Sequence, residues 1–311
     1  MSQTAAESSA QPKVAFIGLG NMGGPMAANL VAAGVPVQAY DVVAEAMDTA
    51  QQNGVEVVAD PLDAVAEADV VLTMLPSGEH VLAAYQHSPG LLAAAKPGAT
   101  FLDCSTINIS EAQEAAELAK QAGFQAADAP VSGGVVGAEA GTLAFMVGAD
   151  DDVFGQLRPL LEIMGARVVH CGASGLGQAA KICNNMILAV SQIAVGEAFV
   201  LGEQLGLTHQ ALYDVASKAS GQSWALTTNC PVPGPVPTSP ANRDFAPGFA
   251  GALMAKDLGL ATNALDEKGV DGQMGRLAAA IYSEFAEGEG ATQDFSAIIS
   301  TIRANSQSPG A

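Results

Sequence analysis

The apolar run VAFIG passes directly into Gly18-Leu19-Gly20-Asn21-Met22-Gly23, which opens the segment MGGPMAANL. A GxGxxG turn in that setting requires a strand that stops abruptly and a helix that starts at once. The first glycine turns tightly, the second lets backbone N–H groups approach a pyrophosphate, and the third lets helix and strand pack closely. The start of the chain is thereby committed to a βαβ unit and to a dinucleotide whose phosphates need no cationic side chain.

The rest of the first half repeats that unit. β-rich runs (KVAFIG, VPVQAY, DVVLTML, TFLDCS, FQAADAPV, TLAFMVG, ARVVHC) alternate with helical segments. This alternation predicts an α/β Rossmann-type, doubly wound, mostly parallel sheet. After Gly175 the strand runs stop, and helices are expected near 177–206, 208–218, 248–268, 271–287 and 293–303. The reading is therefore a disordered polar tail over 1–11, a dinucleotide-binding Rossmann domain over 12–174, and an all-helical domain over 175–305. Residues 230–248, rich in proline and without periodicity, form a loop inside the helical domain. That loop is either a binding element or a passive surface excursion.

Twelve Lys and Arg against 32 Asp and Glu give a formal charge of −20, so a nucleic-acid backbone meets repulsion over most of the surface. Salt adaptation or plain solubility also accounts for such acidity. The four cysteines lack CxxC spacing, which fits a reduced, cytoplasmic protein. The tail has neither a basic segment nor an apolar core of the kind a secretory signal needs. The apolar window 186–201 contains Ser191, Gln192 and Glu197, which a membrane span would not bury cheaply, so it reads as a buried helix and no membrane partner is expected. His80, His87, His170 and His209 lack ligand spacing, and no metal site is expected.

The chemistry-bearing positions follow from the same frame. Asp41 directly follows VPVQAY, eighteen residues after Gly23, where a carboxylate accepts hydrogen bonds from the adenosine ribose; residues 42–52 contain no cation to meet a 2′-phosphate. That selects NAD, the other reading of Asp41 being a helix cap. Leu75-Pro76-Ser77-Gly78 and Ser105-Thr106 lie at carboxyl ends of strands, where ligands sit in open α/β sheets. Ser132-Gly133-Gly134 can expose consecutive N–H groups as an anion nest with a hydroxyl alongside, suited to a carboxylate; an ordinary tight turn is the alternative. Lys181 lies among Ala179, Ala180, Ile182 and Cys183, an apolar turn that argues for burial rather than for a surface lysine. A buried lysine beside an oxidised nicotinamide becomes a competent base for an alcohol proton. Asn185, four residues on, shares its face and can orient a substrate oxygen. Lys256 lies in an apolar helix, either over the cofactor or paired with a carboxylate.

Taken together, FIGLGNMGGPMAANL, MLPS, DAPVSGGVVGAEAGTL and GLGQAAKICNN resemble the β-hydroxyacid dehydrogenase family over almost the whole chain. NCPVPGPVPTSPANRDFAPGF and LMAKDLGLA are most like its members that oxidise 3-hydroxyisobutyrate to methylmalonate semialdehyde with NAD in valine breakdown. The resemblance implies Lys181 as the catalytic residue with Asn185 beside it, and Ser132, Gly133 and Gly134 holding the substrate carboxylate. It also implies the glycine turn, Leu75, Pro76, Thr106, Lys256 and His80 on the cofactor, and a homo-oligomer, dimer or tetramer. The expected small-molecule partner is an anionic β-hydroxy acid. A tartronate semialdehyde reductase is the nearest enzymatic alternative, and a catalytically inactive nucleotide-binding protein the alternative of another class.

Overall fold

A computed structural model describes residues 11–87 and 90–307. The expected tail at 1–11 lies outside them except for Gln11, which is exposed. Contacts divide the chain into two compact units, one ending at Lys181 and the other beginning at Ile182.

The first unit is built on a nine-stranded sheet: β1 (Val14–Ile17), β2 (Val37–Tyr40), β3 (Glu56–Val57), β4 (Val70–Thr73), β5 (Thr100–Asp103), β6 (Gln125–Asp128), β7 (Val131–Ser132), β8 (Leu143–Gly148) and β9 (Gly165–Gly172). The order is β3-β2-β1-β4-β5-β6-β8-β7, with β9 paired to β8. Strands from β3 to β6 are parallel to one another, as is the β8–β9 pair, while β6 and β7 meet β8 antiparallel. The expected doubly wound, mostly parallel sheet is what forms. β1, β4 and β5 are buried at every residue, the signature of central strands covered on both faces. Alternation assigns the faces. Val14 and Phe16 pack in one apolar layer with Met26 and Leu30, whereas Ala15 and Ile17 pack in the other with Val65, Tyr85 and Phe101.

Parallel register places Tyr40, Ile17, Thr73, Asp103 and Asp128 in one row across the carboxyl edge of the sheet. Each segment expected to touch a ligand at this edge is the chain that leaves that row.

The second unit is helical: the rest of helix Leu176–Gln204, then helices His209–Ala216, Trp224–Thr227, Gly251–Lys268, Gln273–Ala286 and Ile298–Gln307. Among the described residues no strand follows β9, only an isolated bridge between Ala250 and Asp294. One cluster packs Ala189, Met254, Leu258, Tyr282 and Phe295, and another packs Phe199, Leu226, Cys230, Val232 and Ile299.

One expectation needs correction. The helix through 186–201 is not buried all round, since Ile187 is 65% exposed and Leu201 60%. By length and composition this one helix would suffice to cross a membrane, but its buried positions, Gln192 among them, face protein. Segment 230–248 is packed against the second unit's core at its start and tied to itself beyond. Cys230 and Val232 are fully buried, and Asn242 ties the segment to itself through Gly234 N–H (3.0 Å) and the Val236 carbonyl (2.8 Å). Buried Asp294 accepts from Gly248 N–H at 3.0 Å and Phe249 N–H at 3.1 Å, which anchors the segment's far end. Backbone groups withdrawn from water found partners, as they must.

Candidate active site

The glycine turn is shaped by close approach. Gly18 takes φ +100°, and a Cβ there would run into the Met74 carbonyl; at Gly23 it would strike the carbonyl of Gly18. Gly20 differs, because nothing lies within 4 Å of the Cβ it lacks. Packing of the chain does not require glycine at that point, so the open space fits a ligand phosphate drawn close to the backbone. Leu19 is buried, while Gly20 and Asn21 are exposed.

Asp41, leaving β2, accepts from Leu19 N–H at 2.6 Å and from Val43 N–H at 2.8 Å. Its carboxylate is thereby fixed against the glycine turn, and each oxygen keeps lone-pair capacity for a ribose hydroxyl. Val42 beside it is 86% exposed, and no cation interrupts the helix Ala44–Gln52 that follows.

At the next strands the chain is held by buried polar side chains. Asp103 Oδ1 accepts from Thr73 Oγ1 (2.8 Å) and from Ser105 Oγ (2.6 Å), and Ser105 Oγ in turn accepts from Leu75 N–H (2.8 Å). The two turns expected to face a ligand, Leu75-Pro76 and Ser105-Thr106, are locked to each other through one carboxylate. Pro76 is exposed, and Leu75 and Thr106 are half-buried. His80 is exposed in the helix Gly78–Gln86 and shares a 2.7 Å hydrogen bond with Ser77 Oγ.

β7 ends in Ser132, and Gly133 (φ +136°) and Gly134 (φ +62°) follow with left-handed backbone that a side chain would strain. Ser132 is half-buried and Gly133 exposed, so this turn can offer a hydroxyl and N–H groups to an anion.

Lys181 is 5% exposed, in the second turn of helix Leu176–Gln204, whose first turn is fixed to the sheet edge. Asp128 accepts from Gly175 N–H at 2.6 Å and from Gln178 N–H at 2.9 Å. Burial pushes the Asp128 carboxyl up to about 6; those two N–H donors pull the other way, and the charge of Asp103 adds to the rise. Asn185 is 1% exposed and belongs to the second unit, where its Nδ2 donates to Asp257 Oδ2 at 2.6 Å and its Oδ1 accepts from Asn184 Nδ2 at 3.0 Å. Lys256 is half-buried in helix Gly251–Lys268.

The carboxyl edge of the sheet thus collects the glycine turn, Asp41, Leu75, Pro76 and Thr106. Asp103, Asp128, Gln178 and Asp257 were missed as site components by sequence reasoning. Asp257 had a faint signal, as a polar residue inside an apolar run and adjacent to Lys256; the others lie two to four residues from an expected site residue.

Residues 13–172 match a family model described as the NAD binding domain of 6-phosphogluconate dehydrogenase, and residues 175–302 one described as NAD-binding of NADP-dependent 3-hydroxyisobutyrate dehydrogenase. A probable 3-hydroxyisobutyrate dehydrogenase of Mycobacterium tuberculosis is 56% identical over 94% of this chain and 98% of its own. An NAD-dependent L-serine dehydrogenase of Pseudomonas aeruginosa is 44% identical over 92% of this chain and 96% of its own. The solved structure of a Mycobacterium tuberculosis 3-hydroxyisobutyrate dehydrogenase with L-serine superimposes with a TM-score of 0.90 at 55% identity, covering 94% of this chain and 99% of that one.

Proposed function

Because the chain belongs to the β-hydroxyacid dehydrogenase family, oxidoreductases that use a nicotinamide dinucleotide, we propose that it oxidises 3-hydroxyisobutyrate to methylmalonate semialdehyde in valine breakdown, with NAD preferred over NADP. The observation that carries this reading is a buried lysine in the same compact unit as the glycine turn, on a helix whose first turn is bonded to the sheet edge. The glycine turn and Asp41 would hold the dinucleotide, which would supply the acceptor for the hydride leaving the hydroxyl-bearing carbon.

The chain's own residues do the rest. Ser132 Oγ and the N–H groups of Gly133 and Gly134 hold the substrate carboxylate, which fixes the distance from that anchor to the β-hydroxyl. Lys181 Nζ, as the neutral amine, takes the hydroxyl proton while the hydride departs, and returns a proton in the reverse direction. Water is a poor competitor, since the lysine is buried. Asn185, one helical turn on, orients the substrate oxygen through an amide whose charge does not change. Gly18 to Gly23, Leu75, Pro76, Thr106, His80 and Lys256 serve the cofactor, and Asp41 reads its ribose. A homo-oligomer acting in the cytoplasm completes the proposal, the exposed apolar face carrying Ile187 and Leu201 being its interface.

L-serine is the second reading, favoured by the Pseudomonas relative and by the mycobacterial structure, which pairs its enzyme with L-serine. The two acids share a 3-hydroxypropanoate frame and differ at C2, where one carries a methyl and the other an ammonium. Steady-state turnover of both acids and of tartronate semialdehyde, each with NAD or NADP in its matching oxidation state, decides between them. A higher kcat/KM for 3-hydroxyisobutyrate with NAD supports the first reading, and a higher value for L-serine supports the second. No turnover with any of them removes the enzymatic assignment of substrate.

A further inference from the structure

Gln178 is fully buried, and both ends of its carboxamide are used. Its Nε2 donates to the Ser105 carbonyl at 2.7 Å, and its Oε1 accepts from Ile107 N–H at 3.2 Å. Those two backbone groups flank Thr106. One side chain therefore does for Thr106 what a neighbouring strand does for a ladder residue, satisfying the carbonyl before it and the N–H after it. The pairings of β5 with β4 and with β6 both stop at Asp103, so neither ladder reaches Thr106.

The backbone of Gln178 is held as firmly as its side chain. Its N–H donates to Asp128, whose other oxygen accepts from Gly175. The Asp128 carboxylate is itself enclosed. A Cβ added at Gly177 would lie 2.7 Å from Oδ2, and one at Gly148 would collide with Oδ1. The carboxylate thus has no freedom to follow the helix if the helix moves. Lys181 follows three residues after Gln178, on the same side of the helix.

We propose that Gln178, fixed from behind by Asp128, is a positioning residue that sets Lys181 in register with the Thr106 loop and so with the bound cofactor. The proposal rests on the assignment of proton transfer to Lys181. Gln178 touches neither substrate nor nicotinamide on this account. Its effect is on the alignment of donor carbon, base and cofactor, where displacement by about 1 Å costs on the order of 100-fold in rate.

The test uses the full chain with NAD and 3-hydroxyisobutyrate, comparing wild type with Gln178→Met, Asp128→Asn and Lys181→Ala. Gln178→Met keeps the length of the side chain and removes both hydrogen bonds, and Asp128→Asn loosens the helix start without touching the Thr106 loop. Thermal melting and calorimetric NAD binding establish that each variant is folded and loaded. Expected for Gln178→Met is a kcat lowered by about 100-fold, with the KM for the acid changed by less than about threefold. The isotope effect with substrate deuterated at the hydroxyl-bearing carbon should rise. Asp128→Asn should show the same split to a smaller extent, and it carries the test alone should Gln178→Met fail to fold. A folded, NAD-binding variant whose kcat stays within about twofold of wild type, while Lys181→Ala is inactive, overturns the positioning role and leaves the lysine assignment standing. If Lys181→Ala is itself active, the lysine assignment falls and the positioning role falls with it.

Discussion

Asn185 Nδ2 and Asp257 Oδ2 are 2.6 Å apart, with the two residues 1% and 4% exposed, so a charge-assisted hydrogen bond between two helices sets which way the Asn185 amide faces. With Asn184 on its oxygen, Asn185 is bonded at both ends of the amide before any substrate arrives. A rotamer held that way loses little entropy on binding.

Removing the carboxylate exposes what it contributes. Asp257→Ala leaves a buried amide without its acceptor, at a cost of about 1–3 kcal/mol. Urea unfolding should show that loss, and steady-state kinetics should show kcat falling further than the KM for NAD. Unchanged stability and kcat would mean that the amide needs no such support.

Asp41 does two jobs that can be separated. Its carboxylate braces Leu19 N–H and Val43 N–H, and it faces the position expected for the adenosine ribose. Asp41→Ser combined with Val42→Arg should raise the ratio of kcat/KM for NADP over NAD by at least about tenfold, since a 2′-phosphate then meets a cation in place of a carboxylate. The same variant should melt lower, because Leu19 loses its acceptor. Unaltered selectivity would count against the ribose contact.

The raised carboxyl of Asp128 gives folding a particular pH dependence. With a folded value near 6 against 3.8 for the free side chain, the folded chain binds more protons than the unfolded one between those limits. Stability from this group is therefore largest below the lower value and is lost as pH rises towards 6, by about 3 kcal/mol. Urea unfolding across that window should show a downward slope in wild type that Asp128→Asn flattens. An equal slope in both would assign the dependence to other carboxylates.

The glycine turn and the strand–helix alternation made the first unit legible because both are patterns local in the sequence. β3 escaped, since Glu56–Val57 is a two-residue edge strand whose only partner is β2. FQAADAPV reads as one strand, but Pro130 breaks it and β7 turns to pair antiparallel with β8. The last helix starts later than its periodicity suggests, because Asp294 accepts from Ser296 N–H and shapes Phe295–Ala297 into a 3-10 turn first. Lys181 and Asn185 stood out by type and spacing. Gln178, Asp128 and Asp257 did not, because these partners lie 47 to 73 residues away and only the fold brings them together.

Everything proposed for the chemistry depends on Lys181 as the residue that moves the proton. Its most direct test is NADH formation from 3-hydroxyisobutyrate by Lys181→Ala beside wild type, with NAD affinity measured on the same samples. Proton transfer by Lys181 predicts unchanged NAD binding and a kcat lowered by roughly 100- to 10,000-fold. A variant that turns over at close to the wild-type rate would contradict it.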